Sequence, residues 1–303
     1  MSRRKWSWTR LQLKRAENVK HVVDELRPWW PSTLRQIYYR LVADGKIKNT
    51  RSDYILLSKL VKWMRIGDMI PWECLEDRSR RITSKKGYAD IQEYVESERE
   101  LFCNGYSRCL IQGQDRHVEV WVEKDALMGI FEEVVWPYCI RAVVCKGYQS
   151  VSFIADFYKR AEKALRQGQE PVVLYFGDLD PSGVQMMEAS IETLEKEMGL
   201  CGVRFKRAGL NLNQVLRYNL PHNPDALKRS DPRAKKYRAL YGDIAVELDA
   251  LHPEILETLI KRSIENEVDM ELFNQQKELE IKDQKEITTI RTKVVEVLQT
   301  FNV

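Results

Sequence analysis

Hydrophobic positions in the first seventy residues recur at three- and four-residue intervals, the spacing of amphipathic helices. Leu11, Val19, Val22, Val23 and Leu26, set among Lys and Arg, predict a first helix over residues 10–27. Pro28 and Pro31 end it around Trp29 and Trp30. Ser32 is placed to cap a second helix over residues 33–43, and Asp44-Gly45 turns the chain. A third helix begins at Thr50 or Ser52, carries Ile55, Leu56, Leu60, Val61 and Met64, and ends at Gly67. An extended piece follows at Met69–Trp72. Three short helices and an extended segment predict a winged helix-turn-helix, its third helix placed to meet DNA.

Beyond residue 113 the pattern changes to short apolar runs alternating with helical ones, which predicts an α/β unit with a parallel sheet. Val118, Val120 and Val122 alternate with Glu119 and Trp121 in a strand closed by Glu123, and Lys124-Asp125 open a helix carrying Leu127, Ile130 and Val134. Ile140–Cys145 is a second strand, ending in Lys146-Gly147-Tyr148, and its helix bears Val151, Ile154, Phe157 and Tyr158. Val172–Phe176 is an uninterrupted apolar strand that Gly177 breaks. Asp178 and Asp180 follow, and Pro181 and Gly183 open a helix with Val184, Met187 and Ile191. Residues 203–208 predict a fourth strand, 212–218 a short helix, 220–233 a loop and 244–249 a last strand. The predicted divisions are a winged-helix domain with connector over 1–112, the α/β unit over 113–265 and a charged helical tail over 266–303. In that tail Ile287, Ile290, Val294, Val297 and Phe301 form a heptad-like seam. The seam suits docking on its own chain, on a second copy or on a partner protein.

Right-handed crossovers bring the ends of the first and third strands to one crevice at the carboxyl edge of the sheet. Glu123, Asp178 and Asp180 would meet there as hard oxygen ligands suited to magnesium. Asp-x-Asp in a turn also serves as local capping, so the glutamate from a separate strand is what favours a metal site.

Charge sharpens this picture. The chain of 303 residues carries a net charge of only +4, unevenly placed. Residues 1–90 hold 21 Lys and Arg against 10 Asp and Glu, a surplus of 11, and the rest hold 28 against 35, a deficit of 7. A basic front and an acidic back suit a nucleic-acid binder with a cation site. The cluster Arg78, Arg80, Arg81, Lys85 and Lys86, with Arg40 and Lys146, supplies candidate phosphate contacts. Six cysteines without a Cys-x-x-Cys pair and four scattered histidines indicate neither zinc nor a disulfide framework. The basic N-terminus lacks an apolar signal core and no apolar run approaches a membrane span, so a cytoplasmic protein is expected.

The second predicted helix holds the candidate nucleophile. Leu34, Ile37, Tyr38 and Leu41 share one face, which places Tyr38 in the core. Arg35 and Tyr39 lie four apart on the opposite face, where the guanidinium could hold a phosphate beside the phenol. A free tyrosine, with a pKa of about 10, is otherwise a poor nucleophile at neutral pH.

Several segments together resemble a known family. Glu123 after one strand and Asp178-x-Asp180 after another resemble the Toprim domain of topoisomerases, primases and some nucleases. Val122-Glu-Lys-Asp125, Lys146-Gly-Tyr148, Gly177-Asp-Leu-Asp-Pro-Ser-Gly183 and Val246-Glu-Leu-Asp-Ala-Leu251 resemble the A subunit of topoisomerase VI and the related meiotic double-strand-break transesterase, over about residues 30 to 265. Arg35-x-x-Tyr38-Tyr39 resembles the family's motif, whose second tyrosine attacks a DNA phosphodiester. The resemblance implies a magnesium-dependent transesterase on double-stranded DNA that leaves a 5′-phosphotyrosyl enzyme. It also implies a homodimer in which each tyrosine works beside the other protomer's metal. The chain has no Gly-rich ATP motif, so strand passage would need a separate ATPase subunit of the gyrase type. The alternatives are a Toprim nuclease that uses water and a non-catalytic DNA-binding scaffold.

Overall fold

Thr9 and Thr33 decide where the first two helices begin. Each side chain accepts a hydrogen bond from the backbone three residues on, and Gln12 and Gln36 reach back to close two capping boxes. They start α1 (Arg10–Glu25) and α2 (Leu34–Ala43), and Thr50 caps α3 (Arg51–Ile66). The cap of α2 is thus Thr33 and not Ser32. Ser32 is buried in a bridge with Leu75, its N–H bonded to the Cys74 carbonyl. The computed structural model describes residues 6–76, 87–145, 151–223, 226–227 and 233–300. Among these, the extended piece near residue 70 forms no strand; Leu75 makes an isolated bridge to Ser32, and Arg65 of α3 donates to the Trp72 carbonyl at 2.7 Å. Ile55 and Leu56, expected inside α3, are exposed, while Leu57 takes the inward position beside Leu60, Val61 and Met64.

After α4 (Ile91–Leu101), which buries no residue, the chain enters a four-stranded sheet. Its strands are β1 (Arg116–Val122), β2 (Arg141–Val144), β3 (Glu170–Phe176) and β4 (Arg204–Gly209), all parallel in the order β2-β1-β3-β4. Strand alternation divides the core in two. Val118, Val120 and Val122 of β1, in register with Val172, Leu174 and Phe176 of β3, face one side with α5 (Met128–Val135) and α10 (Pro253–Glu265). Trp121, Val173 and Tyr175 face the other with α6 (Val151–Arg166). The first core runs without a break into α1, α2 and α3, so the front helices and the sheet share one apolar interior. Each large aliphatic side chain fully buried there contributes roughly 1.5–3 kcal/mol.

This order has a switch point. The connection from β1 leads to β2 on one side, and β3 returns to the other side of β1. The carboxyl ends of β1 and β3 therefore flank the crevice where open α/β sheets bind ligands. Helix α7 (Pro181–Glu192) starts there and leads to β4, and α8 (Leu212–Arg217) and α9 (Ala234–Tyr241) follow. The predicted last strand over 244–249 is absent. Val246 makes only an isolated antiparallel bridge to Leu179, and Leu248–Ala250 is a single 3₁₀ turn. The bridge carries this segment across the mouth of the crevice instead of extending the sheet.

The tail is one helix, α11 (Met270–Thr300). Phe273 is buried, and Asp283 takes the Tyr106 hydroxyl and the Arg108 guanidinium, both at 2.6 Å. Of the predicted seam, Ile287 and Val294 are half-buried, Ile290 and Val297 are exposed, and Phe301 lies outside the described residues. Among the described residues no helix is long and apolar enough to cross a membrane.

Candidate active site

The acids at the switch point are packed against main chain. Glu123 follows β1, and its Oε2 accepts the Asp178 N–H at 2.9 Å. A Cβ on Gly177 would lie 2.6 Å from that oxygen, so only glycine lets the carboxylate settle there. Burial and then the charge of Asp178 push the Glu123 carboxyl up to about 7. Asp178 is itself pushed up to about 6, by burial first and by the charges of Asp249 and Glu247, with Lys124 opposing. Its Oδ1 accepts the Leu248 N–H at 2.7 Å. Asp180 caps α7, accepting the Gly183 N–H at 2.7 Å. The local capping role of Asp-x-Asp is therefore present, on its second aspartate.

These three carboxylates suit a hard divalent cation in donor type, and a cation would relieve the repulsion that raises the first two. As the side chains stand, no three His, Cys, Asp or Glu residues among the described residues gather as a coordination shell.

A second cluster joins this edge to the front helices. The Lys124 ammonium, between Glu123 and the helix it precedes, lies 2.5 Å from Asp249 Oδ2, 2.7 Å from Glu247 Oε2 and 3.0 Å from Asp178 Oδ1. Burial works against its charge, but the three carboxylates hold its pKa well above the ordinary value. Glu247 also takes Arg35 and, at 3.0 Å, the Asn223 amide, and it lines the same cleft as the Tyr39 phenol. Burial opposes the Glu247 charge, yet Lys124 and Arg35 outweigh it and pull the carboxyl down to about 2. Glu247 and Asp249, which the sequence marks only as part of the segment Val246–Leu251, thus form the hub of the site.

The structure brings Arg35 and Tyr39 together as expected but does not leave Tyr39 on an exposed face. Tyr39 is 3% exposed and Tyr38 4%, with their rings edge-on at 5.1 Å. A helical wheel of α2 alone shows one buried face, whereas the turn over Leu248–Ala250 covers the other. Burial first, and then the charge and hydrogen bond of Glu247, raise the Tyr39 phenol well above its ordinary pKa. Tyr38 lies in the core as expected, its hydroxyl 3.0 Å from both Asn49 Oδ1 and the Thr50 carbonyl. A cleft of about 340 Å³, lined by Arg35, Tyr39, Asn49, Tyr54, Asn223 and Glu247, leads down to the phenol.

Of the predicted phosphate contacts, Arg40 is turned to Glu25 at 2.8 Å. Arg78, Arg80, Arg81, Lys85, Lys86 and Lys146 lie outside the described residues. Sequence reading did not single out Lys124, Asn223 or Arg207. Lys124 lies inside the family-like segment Val122–Asp125, and Arg207 carries no side-chain signal, because its partners are carbonyls, three of the four distant in sequence. Another buried acid, Glu119, is held by Arg160 at 2.6 and 3.0 Å midway along β1 on the α6 face of the sheet and takes no part in the site. No family model matches the chain, and no curated protein matches it.

Proposed function

We propose that this chain is a magnesium-dependent DNA transesterase of the topoisomerase VI A-subunit type, with a winged-helix front and a Toprim sheet, in which Tyr39 is the nucleophile. The observation that carries this reading is the continuous chain of ion pairs from Arg35, one helical turn before Tyr39, through Glu247 and Lys124 to Asp178. A candidate nucleophile, its arginine and the acidic switch point meet within one chain.

In this reading double-stranded DNA brings a phosphate into the cleft, where it takes Arg35 from Glu247. The Tyr39 phenol gives its proton to water in the cleft and its oxygen bonds to phosphorus. The bond to the 3′ oxygen breaks, that oxygen takes up a proton, and a 5′-phosphotyrosyl link remains. Glu123, Asp178 and Asp180 would hold magnesium, which supplies charge stabilisation at the phosphate and the leaving oxygen. Lys124 offers a second positive charge beside the same acids. The cleft and the acids belong to one chain, whereas the resemblance implies that the tyrosine works beside a second protomer's metal. A homodimer mixed from Tyr39→Phe and Glu123→Gln protomers separates these cases: a site built across protomers leaves one intact active site and nicks one strand, and a site within each chain does nothing. A gyrase-type ATPase subunit is required only if strands are passed.

The buried, hydrogen-bonded state of Tyr39 favours one second reading, a Toprim nuclease that cuts with water. Stopping a magnesium reaction on end-labelled duplex with denaturant distinguishes them. A protein–DNA adduct at the 5′ end that disappears in Tyr39→Phe supports the transesterase. Cleavage without an adduct, unchanged in Tyr39→Phe, overturns it.

A further inference from the structure

We propose that Arg207 is a positioning residue for the metal acids, setting the spacing of Asp178 and Asp180 through main-chain carbonyls; this rests on the magnesium reading above. Arg207 lies near the end of β4, beside Tyr175 of β3 in the sheet register. Phe205, two residues earlier, packs on the apolar core of that face. At Arg207 the same face carries a guanidinium, stacked 5.5 Å from the Tyr175 ring centre.

Every hydrogen bond of this guanidinium goes to backbone. Nε donates to the Leu210 carbonyl at 2.7 Å, one terminal nitrogen donates to Gly183 at 3.2 Å, and the other donates to Gly177 at 3.1 Å and to Asp178. Arg207 forms no ion pair among the described residues, although one of its acceptors is the main-chain carbonyl of Asp178. Its acceptors bracket the acidic turn: Gly177 and Asp178 on one flank of Asp180, and Gly183 in the first turn of α7 on the other. Leu210 N–H, at 2.9 Å from the Gly177 carbonyl, and the Tyr175 hydroxyl, at 3.3 Å from Gly183, tie the same two carbonyls from other directions.

A planar fork can hold carbonyls on two flanks of a turn at once, which a lysine point charge cannot. Loss of the fork frees Gly183 and the Asp180 cap to move against Asp178. The carboxylates themselves keep their charge. The signature of this role is therefore a fall in metal affinity larger than any fall in stability explains. Outer-shell partners of this kind typically change metal affinity by about 10- to 100-fold.

The test measures Mn²⁺ binding by electron paramagnetic resonance, with thermal unfolding of the same samples. Arg207→Lys and Arg207→Gln are compared with wild type and with Arg160→Gln. The last variant breaks the Glu119 ion pair elsewhere on the same sheet face and controls for lost stability. Arg207→Lys and Arg207→Gln are expected to bind Mn²⁺ about 10- to 100-fold more weakly, while Arg160→Gln keeps wild-type affinity. Should Arg207→Gln not fold, Arg207→Lys, which keeps the charge and stem, carries the same comparison. Wild-type affinity in Arg207→Lys, or an equal loss in Arg160→Gln, overturns the role. A wild-type chain that binds no Mn²⁺ refutes the metal reading itself, a result distinct from either.

Discussion

Replacing Lys124 by Met keeps an unbranched stem of similar length and removes one ammonium from among three carboxylates. In the native protein that ammonium lies within 3.0 Å of Asp178, Glu247 and Asp249. The Asp249 side chain is wholly buried, and its Oδ1 has no hydrogen-bond partner, so water offers it no replacement. Breaking a buried charge cluster by removing one partner costs about 3–5 kcal/mol. That is a large share of the roughly 5–15 kcal/mol that holds a typical domain folded. Without the ammonium the acids repel one another, and the Asp178 carboxyl, already raised by burial, loses the charge that holds it down and is pushed higher. Acids shifted that way add stability at low pH and lose it as pH rises through the folded pKa. The cost of Lys124→Met should therefore be largest near pH 8 and shrink toward pH 5. Urea unfolding at both pH values, in EDTA, measures it, and adding Glu247→Gln should recover part of the loss. A cost below about 1 kcal/mol at pH 8, or an equal cost at pH 5, would refute the reasoning, because buried carboxylates could not then depend on this cation.

Tyr39→Phe should fold, lose about 1 kcal/mol with its buried hydrogen bond and form no covalent adduct, whereas Tyr38→Phe should lose a similar amount and keep activity; calorimetry and denaturant trapping check both. In metal-free protein the raised Glu123 and Asp178 carboxyls should make stability fall as pH rises through about 6 to 7, and Glu123→Gln should flatten that fall in a thermal-shift series. Magnesium-supported cleavage should rise over the same window, since the ionised carboxylates are the ligands; a profile flat from pH 5 to 8 counts against them. Neutralising Arg80 and Arg81 together should reduce the salt slope of DNA binding by about one to two units, and an unchanged slope means that these arginines miss the phosphate backbone.

The parallel sheet was legible because its strands are short apolar runs whose alternation matches the two cores that Val120 and Trp121 enter. The capping residues were legible in kind, though Thr33 won over Ser32 because Ser32 is drawn into the Leu75 bridge. The pairing of Arg35 with Tyr39 followed from helical spacing, but the burial of Tyr39 did not. A helix seen alone has one hidden face, and the cover over its other face comes from Leu248–Ala250, more than 200 residues later in the chain. The same distance hid the centrality of Glu247 and Asp249. Their segment has the apolar alternation of a strand, and only its long-range bonds, the bridge to Leu179 and the Leu248 N–H to Asp178, show that it crosses the crevice mouth. Arg207 was silent for a different reason, since carbonyl acceptors leave no mark in side-chain identity.

The separation between Arg35 and Glu247, 212 residues in sequence, also orders events while the chain is being made. Helix α2 carries its own cap, and its packing partners α1 and α3 lie within the first seventy residues, so it can form early. The carboxylate that restrains its arginine and phenol arrives only after most of the chain. At about 5–20 residues per second, a nascent chain would present Tyr39 uncovered for roughly 10 to 40 s. Only when the segment around Glu247 docks does the phenol become a buried, suppressed group, so closure of the site is among the last long-range contacts to form.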